Sequence, residues 1–195
     1  MKRSGMAVPL HRFVGRSSDV WLTPDWIAAD VVRHFAPSGR VLDPCKGEGA
    51  FLRHMPGAEW CEIREGRDFF AWSEPVDWIV SNPPYSTFTP FHDHAMRLAD
   101  NVVWLIPMHK PWGSWPRLMA LREWGWMAHC RIYGKSRDYG LDMGFVCGAV
   151  HFKKGHGLET TFSFTANNGL ERTRTRSGSE VRSEPSLGSG SVAEK

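Results

Sequence analysis

Residues 40–54 have the sequence RVLDPCKGEGAFLRH, and this stretch decides the fold. The short apolar run Val41-Leu42-Asp43 predicts a strand; Gly47 and Gly49 follow in a loop, and residues 50–54 have helical character. Because glycine has no side chain, the loop lets the backbone approach a ligand closely. A strand, a glycine loop and a helix in succession predict a ligand site beyond the carboxyl end of the strand.

The residues around this loop favour a cationic ligand over a dinucleotide. Leu52 stands where the dinucleotide fingerprint has its third glycine, and Asp43 would repel a pyrophosphate. The same acid suits an ammonium group such as that of S-adenosylmethionine. Glu62 lies about 20 residues on, at the spacing of a ribose-binding acid. Asp68 is placed to accept from an adenine amine; the alternative for both Glu62 and Asp68 is a surface carboxylate.

A second loop, Ser81-Asn82-Pro83-Pro84-Tyr85, follows another predicted strand. Asn82 brings a neutral carbonyl acceptor, and the restricted Pro83 holds its own carbonyl outward as a second one. Two acceptors close together match the two hydrogens of a flat NH2 group and would turn its lone pair towards a methyl donor. Tyr85 offers a ring on which a planar base can stack. The alternative is a rigid strand-to-helix turn capped by Asn82.

Strands and helices alternate along the chain, which predicts a parallel sheet covered on both faces. An amphipathic helix with Ile27, Val31 and Phe35 on one face spans residues 25–35, with Thr23 as its N-cap. Further helices are expected at 91–100 and within 115–124. Strands are expected at 41–43, 59–63, 76–80, 102–106, 127–133 and 145–152. Both motif loops follow strands, so they should share one edge of the sheet.

Composition predicts one domain over residues 19–164, after an N-terminal arm at 1–18. The last residues, 165–195, are rich in Ser, Gly, Arg and Glu, which predicts a disordered tail. There is no apolar leader or membrane-length run, and the four cysteines include no CxxC pair. We therefore expect a cytoplasmic protein without membrane contact. His92 and His94 are two residues apart and would face different ways on a helix, so no metal site is expected.

Three motifs together resemble the class I methyltransferases that act on amino groups, in particular the DNA adenine-N6 family. They are WLTP at 21–24, DPCKGEG at 43–49 and NPPY at 82–85, within a resemblance from about Val20 to Phe152. It implies an α/β fold, a Rossmann-like, seven-stranded sheet that is mostly parallel with an antiparallel C-terminal hairpin, and helices on both faces. Lys46 and Glu48 depart from the family pattern, which often has small or hydroxyl residues there.

The resemblance also implies the roles of individual residues and the cofactor S-adenosylmethionine. The catalytic residues would be Asn82, Pro83, Pro84 and Tyr85. The cofactor would contact Trp21, Thr23, Pro24, Asp43, Pro44, Cys45, Gly47, Gly49, Glu62, Asp68, Phe69 and Asn82. The substrate would contact Tyr85, Phe88, Lys110, Trp112, Lys135, Arg137 and Tyr139, with Tyr139 closing the second face of the base.

The expected partner is DNA, with RNA as the alternative, bound by a monomer or weak dimer in a prokaryotic cytoplasm or in that of a phage host. A net charge of +3 gives such a partner only weak support. Three alternatives stay open: an RNA base amine, a protein glutamine, or a non-catalytic nucleic-acid-binding protein. Trp112, Trp115, Trp124 and Trp126 lie among cations, so they belong either to the core or to a nucleic-acid surface.

Overall fold

Strands and helices alternate along most of the chain in the computed structural model, which describes residues 21–135, 144–157 and 159–165. The strands are β1 (Val41–Asp43), β2 (Glu59–Trp60), β3 (Val76–Ser81), β4 (Ala99–Pro107), β5 (Gly125–Lys135), β6 (Val146–Lys154) and β7 (Thr161–Phe164). The helices are α1 (Asp25–Phe35), α2 (Phe88–Leu98) and α3 (Trp115–Trp124).

These strands form one sheet in the order β2-β1-β3-β4-β6-β5-β7. The neighbours β2, β1, β3 and β4 are parallel; β6 runs antiparallel to β4 and β5, and β7 is parallel to β5. The predicted fold class, a mostly parallel sheet with an antiparallel C-terminal hairpin, is confirmed. We call the side on which β1, β3, β4 and β5 end the carboxyl edge.

Side chains of β4 alternate between two apolar cores. Val102, Trp104 and Ile106 belong to the core that α2 and α3 complete. Val103 and Leu105 belong to the core that α1 completes. A strand whose side chains point alternately to opposite faces is buried throughout only when both faces are covered. The prediction of helices on both faces is therefore confirmed.

Several local predictions need correction. The strand expected at 59–63 ends at Trp60, because Glu62 begins a 3-10 turn and accepts a hydrogen bond from the Arg64 amide. The helical segment expected at 50–54 is a 3-10 turn at Leu52–His54. The N-cap of α1 is Pro24, without a side-chain cap, and not Thr23. The edge strand β7 was not predicted.

The predicted arm at 1–18 lies outside the described residues, as does the predicted tail apart from Thr165. The Thr165 amide donates to the Ile132 carbonyl at 3.0 Å, which continues the pairing of β7 with β5. Among the described residues, no helix combines the length and the apolar character that crossing a membrane requires.

A buried acid joins α1 to β5. Asp30, which is 5% exposed, accepts from the Tyr133 hydroxyl at 2.9 Å and from Arg131 Nε at 3.0 Å. Burial raises the pKa of Asp30, but the hydrogen bonds from Arg131 and Tyr133 outweigh burial and bring the pKa below its ordinary value. Asp30 therefore remains ionised and holds the helix against the sheet.

We expect Asp30→Ala to lower the free energy of unfolding by about 2–3 kcal/mol, because Tyr133 and Arg131 lose their shared acceptor. Urea titration followed by circular dichroism measures the loss. The matched control is Asp100→Ala, which removes an exposed ion pair with Lys154 and should cost under about 1 kcal/mol. Equal losses in the two variants would contradict this role of Asp30.

Candidate active site

The two motif loops meet at the carboxyl edge because β1 and β3 are neighbours in the sheet. Asp43, the last residue of β1, accepts a hydrogen bond at 2.6 Å from the hydroxyl of Ser81, the last residue of β3. Asn82 follows Ser81 directly. The prediction that the glycine loop and the Asn-Pro-Pro-Tyr loop share one edge is therefore confirmed.

Asp43 is a fully buried acid with one oxygen left over. Its Oδ1 also accepts from the Cys45 amide at 3.1 Å, whereas Oδ2 is buried without a hydrogen-bond partner in the described part of the chain. Burial raises the pKa of Asp43 to about 7, although the bonds from Ser81 and Cys45 act to lower it. A buried carboxyl group with a vacant acceptor atom is suited to a cationic donor.

The glycine loop has the backbone conformation that its residues predict. Gly47 and Gly49 have φ angles of +52° and +77°, in the left-handed region that favours glycine. The Gly47 amide donates to Glu62 Oε2 at 2.9 Å, and Lys46 Nζ pairs with Glu65 at 2.5 Å. These contacts hold the loop against the segment that follows β2. Lys46, where the family pattern has a smaller residue, thus has a structural partner.

The two acids predicted to bind ribose and adenine both hold backbone amides. Glu62 accepts from Arg64 at 3.1 Å as well as from Gly47, and Asp68 accepts from the Phe70 amide at 3.0 Å. A carboxylate has about four acceptor positions, so these bonds leave capacity for a ligand. Cofactor contact by either acid stays a prediction.

Two aromatic residues predicted at the site belong to the core instead. The Phe69 ring is 2% exposed and packs between Phe91 and His94. The Phe88 ring is also 2% exposed and stacks on His92. Both rings are therefore packed in the core of the described structure, and the cofactor contact of Phe69 and the substrate contact of Phe88 stay predictions.

Pro44 and Cys45 connect β1 to the glycine loop. Pro44 is buried and Cys45 is partly buried. Burial, with the nearby charge of Asp43, raises the pKa of the Cys45 thiol well above its ordinary value. A thiol that resists ionisation is a poor nucleophile, so Cys45 fits the predicted role of a small loop residue.

The Asn82 side chain is held in one orientation. Its Nδ2 donates to the Trp21 carbonyl at 3.0 Å and to Thr23 Oγ1 at 3.1 Å. The Trp21 carbonyl can only accept, so reversing the amide would lose that bond and set two oxygens against each other, whereas the Thr23 hydroxyl could pair with either end. Asn82 Oδ1 is buried and has no hydrogen-bond partner in the described residues. The segment before α1 therefore directs one free acceptor into the site.

The rest of the catalytic motif turns into α2. Pro83 is buried, and the Pro84 carbonyl accepts from the Thr87 amide at 3.3 Å. The Tyr85 ring is only 6% exposed, and its centroid lies 6.3 Å from that of Phe145 in an edge-on arrangement. Stacking of a base on Tyr85 therefore requires Phe145 to move aside.

A buried arginine, which the sequence analysis did not single out, supports this motif. Arg117 of α3 is 8% exposed; it donates to Thr89 Oγ1 at 2.6 Å and to the Lys110 carbonyl. Lys110 Nζ in turn donates to the Tyr85 carbonyl at 2.9 Å. Arginine is seldom buried unless it is paired, but a single sequence does not show which arginines have partners.

The remaining predicted substrate residues lie near the carboxyl edge or outside the described chain. Trp112 is exposed in the loop after β4, and Lys135 is exposed at the end of β5. Arg137 and Tyr139 lie outside the described residues. No three His, Cys, Asp or Glu side chains group to hold a metal ion in the described ranges.

We expect Asp43→Asn to stabilise the protein relative to wild type as pH rises. A folded-state pKa near 7, above the ordinary 3.8, means that Asp43 stabilises the fold below about pH 4 and that this contribution is lost as pH rises to 7. The variant should gain about 2–3 kcal/mol over wild type between pH 5 and pH 8. Urea unfolding at both pH values measures the difference, and a pH-independent difference would contradict the raised pKa.

No family model and no curated protein matches the chain. Its fold is similar to that of a Listeria monocytogenes protein classed by inference as a class I S-adenosylmethionine-dependent methyltransferase, with TM-score 0.56 and 12% identity over 78% of this chain and 68% of that one.

Two modification subunits of type I restriction enzymes are also similar. One, from Vibrio vulnificus and again classed by inference, has TM-score 0.57 and 13% identity over 76% of this chain and 47% of its own. The EcoKI M protein has TM-score 0.51 and 10% identity over 70% and 44%. This chain thus spans less than half the length of either subunit. At such identities the likeness concerns the fold alone, which is that of the class I methyltransferases.

Proposed function

We propose that this protein transfers the methyl group of S-adenosylmethionine to the exocyclic N6 amine of adenine in DNA. The observation that carries the proposal is the fixed amide of Asn82. Its Nδ2 is held by Trp21 and Thr23, and its Oδ1 remains a buried acceptor without a partner in the described residues. Leaving such an acceptor unpaired costs about 1–3 kcal/mol, which a bound amine would recover.

The chemistry requires an amine that donates to neutral acceptors. Asn82 Oδ1 accepts one hydrogen, and the Pro83 carbonyl is proposed to accept the other. Holding both hydrogens draws the nitrogen lone pair out of conjugation, so that nitrogen can form the bond to the methyl carbon as the carbon–sulphur bond breaks. The nitrogen then loses one proton to solvent. Catalysis here consists of alignment and of stabilising positive charge on nitrogen.

The residues of the glycine loop suit the proposed cofactor. Asp43 offers a buried carboxylate oxygen without a partner in the described chain, and Gly47 and Gly49 form an open turn beside it. When bound, S-adenosylmethionine supplies a methyl group on a cationic sulphur. Besides these residues, we propose that Trp21, Thr23, Pro24, Pro44, Cys45, Glu62, Asp68 and Asn82 surround it.

DNA is the proposed substrate because the motif set resembles the adenine-N6 family and because the fold is shared with modification subunits of restriction enzymes. We propose that the target adenine leaves its stack and enters between Asn82 and Tyr85. Phe145, which now covers the Tyr85 ring, must move for the base to stack there. The exposed Lys135 lies at the same edge and is proposed to contact the DNA backbone.

We expect Asn82→Ala to lower methyl transfer to DNA by about 100-fold or more, while S-adenosylmethionine still binds. Transfer is measured with tritiated cofactor, and binding by calorimetry. Thr23→Val, which removes one acceptor of the Asn82 amide, should lower kcat by about tenfold, and Thr23→Ser should restore it. Full activity of Asn82→Ala would refute the proposal.

Parallel incubations with DNA, RNA and protein pools identify the substrate. Label in DNA, recovered as N6-methyladenine, is the expected result. Label in RNA or in protein glutamine would support methyl transfer to an amine at this site but would contradict DNA as the substrate. Nucleic-acid binding without transfer to any pool would instead support the non-catalytic alternative.

A further inference from the structure

Two large tryptophan side chains project from the loop that follows β4. Trp112 is 51% exposed and Trp115, the first residue of α3, is 70% exposed. The other tryptophans of this region, Trp124 and Trp126, are half-buried. Each ring thus leaves half or more of its surface uncovered in the described fold, and exposed apolar surfaces of this kind commonly mark interaction sites.

The loop is fastened to the catalytic motif. Lys110 Nζ donates to the Tyr85 carbonyl at 2.9 Å, and Arg117 donates to the Lys110 carbonyl. His109 lies edge-on to Phe145, the ring that also covers Tyr85, with 5.8 Å between the centroids. The chain on both sides of Trp112 is therefore attached to Tyr85 or to residues next to it.

Chain length limits how far the two rings can be from that motif. Trp112 is two positions after Lys110 and Trp115 is five positions after it, so their Cα atoms lie within about 7 Å and about 18 Å of the Lys110 Cα atom. Stacked bases on one strand are about 3.4 Å apart. Both rings therefore lie within a few nucleotides of a base bound at Tyr85.

The charge of the segment fits a polyanion. Residues 101–122 contain no Asp or Glu and include Lys110, Arg122 and His109, of which Arg122 and His109 are exposed. Arg117 is buried, and the exposed Glu123 follows Arg122 directly. Exposed aromatic rings beside cations are a combination found in surfaces that bind unstacked nucleic-acid strands.

We propose that Trp112 and Trp115 form a stacking platform for nucleotides that flank the target base on the same DNA strand. This inference rests on the proposed function, and it adds the surface that would hold the DNA strand on either side of the target base. The platform would keep neighbouring bases unstacked while the target enters between Asn82 and Tyr85, and it would favour single-stranded or locally opened DNA over intact duplex.

The test compares Trp112→Ala, Trp115→Ala and the double variant with wild type. Binding is measured by anisotropy of a fluorescein-labelled oligonucleotide, single-stranded and duplex, in the full chain. Each single variant should weaken single-strand binding by about tenfold, and the double variant by more. Melting temperature and cofactor binding should stay unchanged. Phe162→Ala is the matched control, because Phe162 is an exposed ring, 54% accessible, on the edge strand β7.

Wild-type affinity in the double variant, or no oligonucleotide binding by wild type, would overturn the platform. A third result would also overturn it: the wild-type protein is a dimer, the double variant is a monomer, and both bind DNA with the same affinity. In that case the two rings would contact a second copy of the chain. Methyl transfer separates the two proposals. Asn82-dependent transfer together with wild-type oligonucleotide affinity in the double variant contradicts only the platform. Tryptophan-dependent binding without transfer contradicts only the enzyme assignment.

Discussion

The hydrogen bond from Ser81 to Asp43 joins the two halves of the candidate site. It links the ends of two neighbouring parallel strands, and each strand continues directly into a motif loop. Because β1 and β3 are paired over Val41–Trp78 and Leu42–Ile79, a slip of one residue would turn every side chain of a strand to the opposite face of the sheet, and so to the other core. The register that buries Leu42 and Ile79 therefore also sets Asp43 beside Ser81, so core packing and site geometry are one constraint.

Much of the fold could be predicted because the central strands are continuous apolar runs in a sheet covered on both faces. Val102 to Ile106 is such a run, and its burial needs no knowledge of its partners. The strand β7 is different, because its side chains contact the neighbouring strand β5. The ring nitrogens of His129 lie 2.6 Å from Thr161 Oγ1 and 2.7 Å from Ser163 Oγ. Thr161-Phe162-Ser163-Phe164 alternates polar and apolar residues, but over only four positions and with both rings exposed, so the pattern is too short to predict a strand without the sheet.

The parts of the candidate site whose chemistry depends on residue type could be predicted from the sequence. The parts that depend on which side chains pack together in space could not. The acid of the glycine loop and the Asn82 amide are recognisable by type. The positions of Phe69 and Phe88 in the core depend on the rings that pack against them, which are Phe91 and His92 of α2. Trp21 and Thr23, which are expected at the cofactor, also hold the Asn82 amide, and no pattern in the sequence indicates that contact. Arg117 acts through Lys110, and no local pattern connects them.

Asp43 Oδ2 and Asn82 Oδ1, which have no hydrogen-bond partner among the described residues, belong to groups that differ in charge, and this difference supports the ligands proposed for them. Asp43 can ionise near neutral pH, whereas Asn82 cannot. An acid at position 82 would lie about one strand spacing from Asp43, about 4.8 Å, and like charges this close raise each other's pKa, so one would be protonated. Its carboxylate would also repel the Trp21 carbonyl that now holds the Asn82 amide. A neutral amide is thus a side chain that can offer an acceptor beside a buried acid, which supports the proposal of a cation at Asp43 and an uncharged amine at Asn82.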